Sequence, residues 1–341
     1  MARDTLSLIG TTFGGTFRLM RLIGAGSMGQ VFAADGVDGR KAAVKVLHAR
    51  SAQDRDIVAR FEREATIAAK LKSPFVAAVL GAGRDEGRLW IAFELLSGEG
   101  LDARLKREWY LSFAELAPIL DDVLSGLVDA HQAEVVHRDI KPANLFIETL
   151  GDPADVQAPN AQQLEPAERT RILDFGVSKL RSGGDAGGEH SLTAFDATLG
   201  SFAYMAPEQI RGSARADARA DLYALGAVAF RALTGRLPFE GSSPASVAAL
   251  KLDRDVPPLS ENTGDQWPPA IEAFISRMMA RDRERRFGDA AEALVSWRAL
   301  RTQMTGGGVL SVRQSPPDEG RREDAATTEV TLGDGPVDPP R

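Results

Sequence analysis

Apolar residues are spaced differently in the two parts of this chain. Between residues 16 and 94, short apolar segments alternate with glycine-bearing turns, a pattern that is typical of antiparallel strands. The predicted strands lie near residues 17–23, 30–34, 42–47, 76–80 and 89–93. We therefore expect the first part to be a small unit of mostly β structure.

One helix is predicted inside this β unit. It begins near Ser51, with Asp54 as its capping-box partner, and it ends before Pro74. Its apolar positions repeat at helical spacing: Ile57, Phe61, Ala68 and Leu71. Glu64 falls on the same face, and a carboxylate in such surroundings needs a cationic partner.

Helical patterns dominate after residue 101. Helices are predicted at residues 113–132, 221–233, 244–250, 269–279 and 290–304. Residues 151–170 are polar and proline-bearing, and residues 182–189 are glycine-rich, so both are predicted loops. Residues 305–341 hold many Gly, Pro and acidic residues and few large apolar ones, which predicts a disordered tail.

Charge and composition exclude several classes of function. The 341 residues carry a formal net charge of -7, whereas a dedicated nucleic-acid binder needs a basic surface. Because there is no cysteine, disulfides, thiolate metal sites and cysteine nucleophiles are excluded. Residues 1–9 lack the apolar stretch of a secretory signal, and the longest apolar run, residues 222–230, is far shorter than the roughly 20 residues that cross a bilayer. We expect a cytoplasmic protein without a membrane span.

Three glycines near the start of the β unit form the pattern GxGxxG: Gly24, Gly26 and Gly29. Dinucleotide-binding folds use the same spacing, but there the glycines open a helix, whereas residues 30–34 are predicted to return as a strand. A hairpin of this kind can cover phosphates with its backbone amides. A plain tight turn is the alternative, because glycine is common in turns.

Lys45 lies at the end of the apolar segment 42–44, which indicates a buried strand. A buried cation cannot be left unpaired, and Glu64 on the predicted helix is the obvious partner. Alternatively, Lys45 reaches solvent, and Glu64 joins a surface ion pair worth at most about 1 kcal/mol.

The most specific signal is the sequence HRDIKPAN at residues 137–144, a polar loop between two apolar segments. Asp139 can orient an attacking hydroxyl and accept its proton, while Lys141 offsets charge on a transferring phosphoryl group. Asn144 supplies a neutral oxygen for a hard cation. An ordinary polar loop is the alternative.

A second carboxylate is expected at the end of a later strand. Asp174, Phe175 and Gly176 follow the apolar pair Ile172 and Leu173. Because Mg²⁺ prefers oxygen ligands and shares them with substrate phosphates, one Asp and one Asn suffice for a site. Taken alone, the tripeptide also fits an ordinary turn.

In chain order, these motifs and the triplet Ala206, Pro207, Glu208 resemble the signature set of protein kinases. The resemblance covers roughly residues 13–300 and looks like the bacterial members of the eukaryotic-type (Hanks-type) serine/threonine group. Lys141 and Pro142 are as in serine/threonine rather than tyrosine kinases, so tyrosine is the less favoured acceptor.

The resemblance implies an α+β class, the two-lobed protein kinase fold. After a leader at residues 1–12, a small lobe of mostly antiparallel strands with one long helix would span residues 13–96. A larger, mainly α-helical lobe would span residues 97–304, with an inserted loop at 148–170 and an activation segment at 174–208.

The resemblance also implies a site in the cleft between the lobes, which binds ATP with Mg²⁺, or with Mn²⁺ as an alternative. The implied catalytic residues are Asp139, Lys141, Lys45 and Glu64, and the implied metal ligands are Asn144 and Asp174. The implied nucleotide contacts are Gly24, Ala25, Gly26, Ser27, Met28, Gly29, Val31, Ala43, Lys45, Phe93, Glu94 and Leu96. Structural roles are implied for Glu208 with its partner Arg286, and for Asp221, which would brace the loop at 137–144 (the catalytic loop).

The chain departs from the family pattern in two places. Thirty positions separate Asn144 from Asp174, more than is usual, so an insertion is expected to bulge from the hairpin between them. Ser201 stands where the family commonly has Thr, and it keeps a hydroxyl that can bond Asp139 and Lys141.

In similar kinases the arginine beside the catalytic aspartate, here Arg138, receives a phosphate on the activation segment. The candidates for this phosphate are Thr198 first, then Thr193 and Ser191. We expect autophosphorylation of Thr198, through a transient dimer, to raise activity. An unmodified mobile loop is the alternative.

Two alternatives to an active kinase fit the sequence less well. A pseudokinase, a nucleotide-gated scaffold without phosphoryl transfer, should lack at least one catalytic group, yet all of them are present. A dinucleotide-dependent oxidoreductase needs a helix after Gly29 and an acidic residue about 20 positions on, but Asp54 near that spacing is predicted to start a helix. The expected partners are therefore ATP and a protein with a Ser or Thr acceptor, without nucleic acid.

Overall fold

The computed structural model describes residues 8–26, 29–85, 87–151, 167–175, 202–212 and 216–306. In these ranges a small lobe built on one antiparallel sheet precedes a larger, mainly helical lobe. The predicted α+β, two-lobed fold is confirmed.

In the described part of the small lobe, six strands form one sheet in the order β1-β2-β3-β4-β6-β5, and neighbouring strands are antiparallel. Their bounds are β1 Thr12–Phe13, β2 Phe17–Ala25, β3 Gly29–Gly36, β4 Lys41–Leu47, β5 Val79–Asp85 and β6 Arg88–Glu94. The strand predicted at residues 76–80 is misplaced. Val76 instead pairs with Ile172 of the large lobe, and the strand begins three residues later.

The helix of the small lobe is α1 (Arg55–Ala68). Asp54 is its N-cap, because the Asp54 carboxylate accepts two backbone N–H groups of the first turn. The prediction that the helix begins near Ser51, with Asp54 as a capping-box partner, is wrong, since Ser51–Gln53 forms a separate 3₁₀ turn. The apolar face of α1 reaches the sheet through Phe61, which packs with Leu47, Leu89 and Ile91.

The apolar core of the small lobe includes residues close to the start of the described chain. Leu8 is buried in this core together with Phe13 and Phe17. The leader predicted at residues 1–12 is therefore too long, because the chain packs on the small lobe from residue 8 onward.

Helices form most of the large lobe. Their bounds are α2 Leu101–Glu108, α3 Phe113–Gln132, α4 Pro207–Arg211, α5 Arg219–Thr234, α6 Pro244–Asp253, α7 Leu259–Thr263, α8 Pro269–Met278 and α9 Ala290–Gly306. The helix predicted at 113–132 has those bounds, and the other four predicted helices are found with ends that shift by at most three residues.

Helices α3 and α5 lie in the core of the large lobe. A capping box fixes the start of α3: Ser112 and Glu115 each accept the backbone N–H of the other. The apolar run at 222–230 belongs to α5, where every one of its residues is buried. In the described ranges, no helix combines the length and the apolar composition that a membrane-spanning segment requires.

A second sheet joins β7 (Gly98–Gly100), β8 (Leu145–Leu150) and β9 (Ala167–Ile172). Strands β8 and β9 pair along their whole lengths. The insertion predicted at residues 148–170 is therefore too long, because residues 148–150 and 167–170 at its two ends continue the hairpin. Residues 152–166 and the predicted tail from residue 307 onward lie outside the described residues.

Candidate active site

A glycine-rich hairpin joins β2 to β3 in the small lobe. Gly24 and Ala25 end β2, Gly29 begins β3, and the Gly26 N–H donates to the Gly29 carbonyl at 2.9 Å. A Cβ at Gly29 would lie 2.4 Å from the Val46 carbonyl oxygen, so the close approach of β4 requires glycine here. The returning strand excludes the dinucleotide-binding geometry, in which a helix follows the glycines.

Lys45, on β4, forms an ion-pair cluster with two carboxylates. Its Nζ is 2.7 Å from Glu64 Oε1 on α1 and 3.4 Å from Asp174 Oδ1, which follows β9. The side chains of Lys45 and Glu64 are 18% and 9% exposed, whereas that of Asp174 is 48% exposed. The predicted contact between Lys45 and Glu64 is present, and the large lobe adds Asp174 to it.

This cluster changes the acidity of its members. Burial lowers the pKa of the Lys45 ammonium, but the Asp174 and Glu64 carboxylates raise it more, so the pKa of Lys45 lies above its usual value. Burial raises the pKa of the Glu64 carboxyl, against the opposing effect of Lys45. Lys45 therefore stays cationic throughout the neutral pH range.

The catalytic loop brings three predicted side chains together. Lys141 Nζ is 2.9 Å from Asp139 Oδ2, and Asn144 Nδ2 donates to the Asp139 carbonyl at 2.7 Å and to Asp139 Oδ2 at 3.2 Å. A 3₁₀ turn at Pro142–Asn144 returns the chain toward Asp139 and allows these contacts. The Asp139 carboxylate is therefore oriented by a cation and an amide.

Backbone contacts hold the two clusters side by side. The Leu173 N–H donates to the Asn144 carbonyl at 2.9 Å, and His137 Nε2 lies 2.9 Å from the Leu173 carbonyl oxygen. The buried His137 ring also packs on Phe175, with 4.8 Å between ring centroids. Asp174 lies between Leu173 and Phe175, and is thereby fixed beside Asn144.

Two residues of the site have left-handed backbone conformations that residues other than glycine rarely adopt: Arg138 with φ 64° and Asp174 with φ 43°. Asp221 on α5 stabilises the backbone conformation of Arg138. Its fully buried carboxylate accepts the N–H groups of His137 and Arg138 at 2.8 and 2.7 Å. His131 Nε2 contacts the same carboxylate at 2.9 Å. The predicted contact of Asp221 with the catalytic-loop backbone is thus present.

The other predicted structural contact joins Glu208 and Arg286 of the large lobe. Arg286 Nη1 and Nη2 donate to the two carboxylate oxygens of Glu208 at 2.7 and 2.9 Å, and both residues are buried. Two parallel charge-assisted hydrogen bonds of this kind are strong and fix orientation. The predicted contact is present, and it anchors the start of α4.

Of the residues expected to surround an adenine base, Val31, Ala43 and Phe93 lie on β3, β4 and β6, and Leu96 follows β6. Ala43 pairs with Phe93, and Val31 pairs with Lys45, across neighbouring strands. Val31, Ala43, Phe93 and Leu96 are half-buried, as residues that border a cleft would be. These positions are compatible with a flat ligand against this face of the sheet.

The donor set of the site fits a hard cation shared with phosphates. Asp174 offers a half-exposed carboxylate, and Asn144, whose amide nitrogen binds Asp139, retains its side-chain oxygen as a ligand. Across the described residues, no three His, Cys, Asp or Glu side chains gather into a self-sufficient metal site. A divalent ion here would need further ligands from a nucleotide.

Part of the predicted site lies outside the described residues. This holds for Ser27 and Met28 in the glycine-rich hairpin and for Gly176 after Phe175. It also holds for the activation-segment residues Ser191, Thr193, Thr198 and Ser201.

Arg171 on β9 is a residue near the site that the sequence analysis did not single out. Its guanidinium contacts the Glu94 carboxylate, lies 3.0 Å from Glu148 Oε2 and donates to the Val76 carbonyl at 3.0 Å. The Glu94 side chain, which belongs to the predicted adenine-binding connection, therefore binds the protein itself. A signal was present: Arg171 precedes a buried apolar pair, and a buried cation needs partners.

Two other polar residues are connected to the catalytic loop without having been predicted: the half-buried His131 and the buried Gln209. His131 reaches it through Asp221, and Gln209 Nε2 donates to the Arg138 carbonyl at 3.0 Å. Neither has a local signal, because a histidine at a helix end and a glutamine in a short helix are usually exposed.

Comparison with known proteins gives matches over most of the chain. The family described as "Protein kinase domain" matches residues 17–297. The chain is 37% identical over 311 residues to the serine/threonine-protein kinase pkn3 of Myxococcus xanthus, which covers 84% of this chain and 54% of that protein. It is 39% identical over 289 residues to the serine/threonine-protein kinase PknJ of Mycobacterium tuberculosis, covering 83% of this chain and 45% of PknJ. The chain thus spans about half the length of the curated relatives it matches.

Solved structures give the same picture for the fold. The crystal structure of the Mycobacterium tuberculosis PknI kinase domain superimposes with a TM-score of 0.63 at 27% sequence identity. This match covers 85% of the present chain and 98% of the PknI chain. The similarity extends over both lobes described above.

Proposed function

Because this chain belongs to the protein kinase family, we propose that it is an active serine/threonine kinase, which transfers the terminal phosphoryl group of ATP to a Ser or Thr hydroxyl of a protein. One observation carries the proposal. Lys45 of the small lobe lies 3.4 Å from Asp174 of the large lobe, and a backbone hydrogen bond holds the residue before Asp174 against Asn144 of the catalytic loop.

Each of these side chains has a defined task in the transfer. Asp139, oriented by Lys141 and Asn144, positions the acceptor hydroxyl and takes its proton as the hydroxyl oxygen attacks. Lys141 offsets negative charge on the phosphoryl group as it moves. Lys45, kept cationic by Glu64 and Asp174, binds the phosphates of the nucleotide.

The remaining predicted residues bind the nucleotide and its ion. Backbone amides of the glycine-rich hairpin cover the phosphates, and Val31, Ala43 and Phe93 contact the base. Asn144 and Asp174 would hold a divalent cation, which we propose to be Mg²⁺ because that ion uses few protein ligands together with substrate phosphates. When bound, the ion neutralises charge on the phosphate oxygens.

We further propose that Arg138 receives a phosphate on the activation segment, with Thr198 as the first candidate, added by a second copy of the chain. Arg138 Nη1 is buried and has no hydrogen-bond partner among the described residues. A buried guanidinium nitrogen without an acceptor is costly, and a phosphate would supply charged oxygens for it.

This regulatory proposal predicts that Thr198→Ala lowers the rate of phosphoryl transfer, because Arg138 then lacks its acceptor. Intact-mass measurement and peptide mapping of active enzyme should find phosphate on Thr198. Fully active protein with an unmodified Thr198 would contradict the proposal.

Transfer itself is tested with radiolabelled ATP, Mg²⁺ and a generic protein acceptor. The wild type is expected to place label on Ser or Thr, as shown by phosphoamino-acid analysis, while Asp139→Asn is expected to lose the activity. Equal labelling by both proteins would remove Asp139 from its role. A wild type that binds ATP in a thermal-shift assay but transfers nothing would favour the pseudokinase alternative.

A further inference from the structure

The segment just before α4, residues 203–206, is held by two side chains from outside it, and we call it the docking segment. Its residues Ala203, Met205 and Ala206 are buried. Lys251 of α6 binds the start of the segment, and Gln209 of α4 binds its end. Both side chains bind backbone atoms, so they fix the path of the chain.

Lys251 is buried, and among the described residues it has no acidic partner. Its Nζ donates to the carbonyl oxygens of Ala203 and Met205 at 2.7 and 2.8 Å and lies 5.1 Å from the centre of the Tyr223 ring. The residue is 1% exposed, and burial lowers the pKa of its ammonium well below the usual value. Burying an amine in this way is costly, and its two hydrogen bonds satisfy backbone carbonyl oxygens of the docking segment. Lys251 therefore fixes the backbone path of the docking segment through these two hydrogen bonds.

Gln209 connects the docking segment to the catalytic loop. Its Oε1 accepts the Ala206 N–H at 2.9 Å, and its Nε2 donates to the Arg138 carbonyl at 3.0 Å. Arg138 directly precedes Asp139 and has a left-handed backbone, with its N–H bound by Asp221. The Gln209 side chain thus links the carbonyl of this strained residue to the backbone of the docking segment.

We propose that Lys251 and Gln209 are positioning residues that set the docking segment, and with it the protein acceptor, in a fixed relation to Asp139. Only the Gln209 side chain separates this segment from Arg138, the residue before Asp139, so the segment lies near the position at which an acceptor presents its hydroxyl to Asp139. The contacts of both side chains involve neither Lys45 nor Asp174, so nucleotide binding does not depend on them. The inference rests on the proposed kinase function.

The first test is Lys251→Met, which keeps the length of the side chain and removes its donors. The melting temperature should change little, because relief from burying an amine offsets the loss of the donor to two backbone carbonyls. The kcat/KM for a peptide acceptor should fall on the order of tenfold to a hundredfold, the cost of a small misplacement of a reacting group. The KM for ATP and the thermal shift with Mg²⁺ and ATP should not change.

The second test is Gln209→Glu, which keeps an acceptor for the Ala206 N–H and loses the donor to Arg138. It should reproduce the selective loss of peptide turnover, while Gln303→Glu on the exposed face of α9 serves as the matched control. Because both variants act through one segment, their effects in the double variant should be smaller than additive.

All proteins are compared at the same phosphorylation state of the activation segment, verified by intact-mass measurement, so that a difference in autophosphorylation does not contribute. A wild type without transfer would refute the proposed function, whereas an active wild type with unchanged peptide kinetics in both variants would overturn the positioning roles alone. Equal losses in ATP affinity and in peptide turnover would also overturn them, since a general structural role has that effect. If Lys251→Met does not fold, Gln209→Glu with its control decides.

Discussion

At the scale of single residues, the site depends on buried charges that are stable only in the presence of their partners. Lys45 and Glu64 are 2.7 Å apart and little exposed, so each offsets part of the desolvation penalty of the other. Removing one partner of such a pair typically costs about 3–5 kcal/mol, because the other charge is left buried and alone.

Lys45→Met should therefore abolish transfer and make stability depend on pH in a defined direction. Burial raises the pKa of the Glu64 carboxyl, and the loss of Lys45 raises it further. A carboxyl group whose pKa is higher in the folded than in the unfolded state stabilises the protein at low pH. This stability is lost as the pH rises through the pKa of the folded state. The melting temperature of the variant should thus fall below that of the wild type near about pH 8 and approach it near about pH 5.

The matched control for this prediction is the double variant Lys45→Met with Glu64→Gln, which has no carboxylate to titrate at this position. Its melting temperature relative to the wild type should vary much less with pH than that of the single variant. Parallel pH curves for the single and double variants would show that Glu64 is not the titrating group.

The sequence predicts the chemistry of the site where a short motif contains the reacting residues. Asp139, Lys141 and Asn144 are close in the chain, and a short loop brings them into contact. The contact of Lys45 with Asp174, and those of Arg171 and Gln209, were not predicted, because they join residues that are far apart in sequence. A local pattern does not contain such pairings.

At the scale of elements, the short helix α4 depends on a tertiary contact. A helix of five residues has little intrinsic stability, so the bidentate pair of Glu208 with Arg286 must hold it. The same helix presents Gln209 to the catalytic loop, so its position bears on the site as well.

Arg286→Ala is predicted to lower the free energy of unfolding by about 3–5 kcal/mol, because Glu208 would remain buried without a cation. Urea denaturation measures this loss. Arg84→Ala is the control, since it breaks an exposed pair with Glu62 at 3.6 Å and should leave the midpoint nearly unchanged. Similar shifts for both variants would contradict the assigned role of the buried pair.

Most elements follow from local patterns, and the exceptions have a physical cause. The bounds of α3 agree with the prediction, because apolar periodicity and the capping box of Ser112 and Glu115 both mark it. The strand predicted at 76–80 was misplaced because Val76 is extended to meet Ile172, a partner in the other lobe. The insertion was predicted too long because polar residues at both ends belong to paired strands.

At the scale of the whole molecule, Arg171 joins the two lobes. It belongs to β9 of the large lobe, as its partner Glu148 belongs to β8, while Glu94 and Val76 are part of the small lobe. The proposed nucleotide cleft lies between these lobes, so we expect this cluster to affect its width.

Arg171→Met is predicted to raise the KM for ATP by about tenfold and to lower the melting temperature, because two carboxylates lose their shared cation and the lobes lose a link. Steady-state kinetics with varied ATP measures the first effect. Arg169→Met, two positions earlier on the same strand, is the control and should leave the KM for ATP unchanged. An unchanged KM in Arg171→Met would show that the link does not shape the cleft.

The central claim is that Lys45, Asn144 and Asp174 hold one nucleotide with its ion above Asp139. A crystal structure with Mg²⁺ and a non-hydrolysable ATP analogue tests it most directly. We expect Lys45 Nζ on the phosphates, the ion on Asn144 and Asp174, and the terminal phosphate facing Asp139. An analogue bound elsewhere, or an ion that contacts neither Asn144 nor Asp174, would contradict the account.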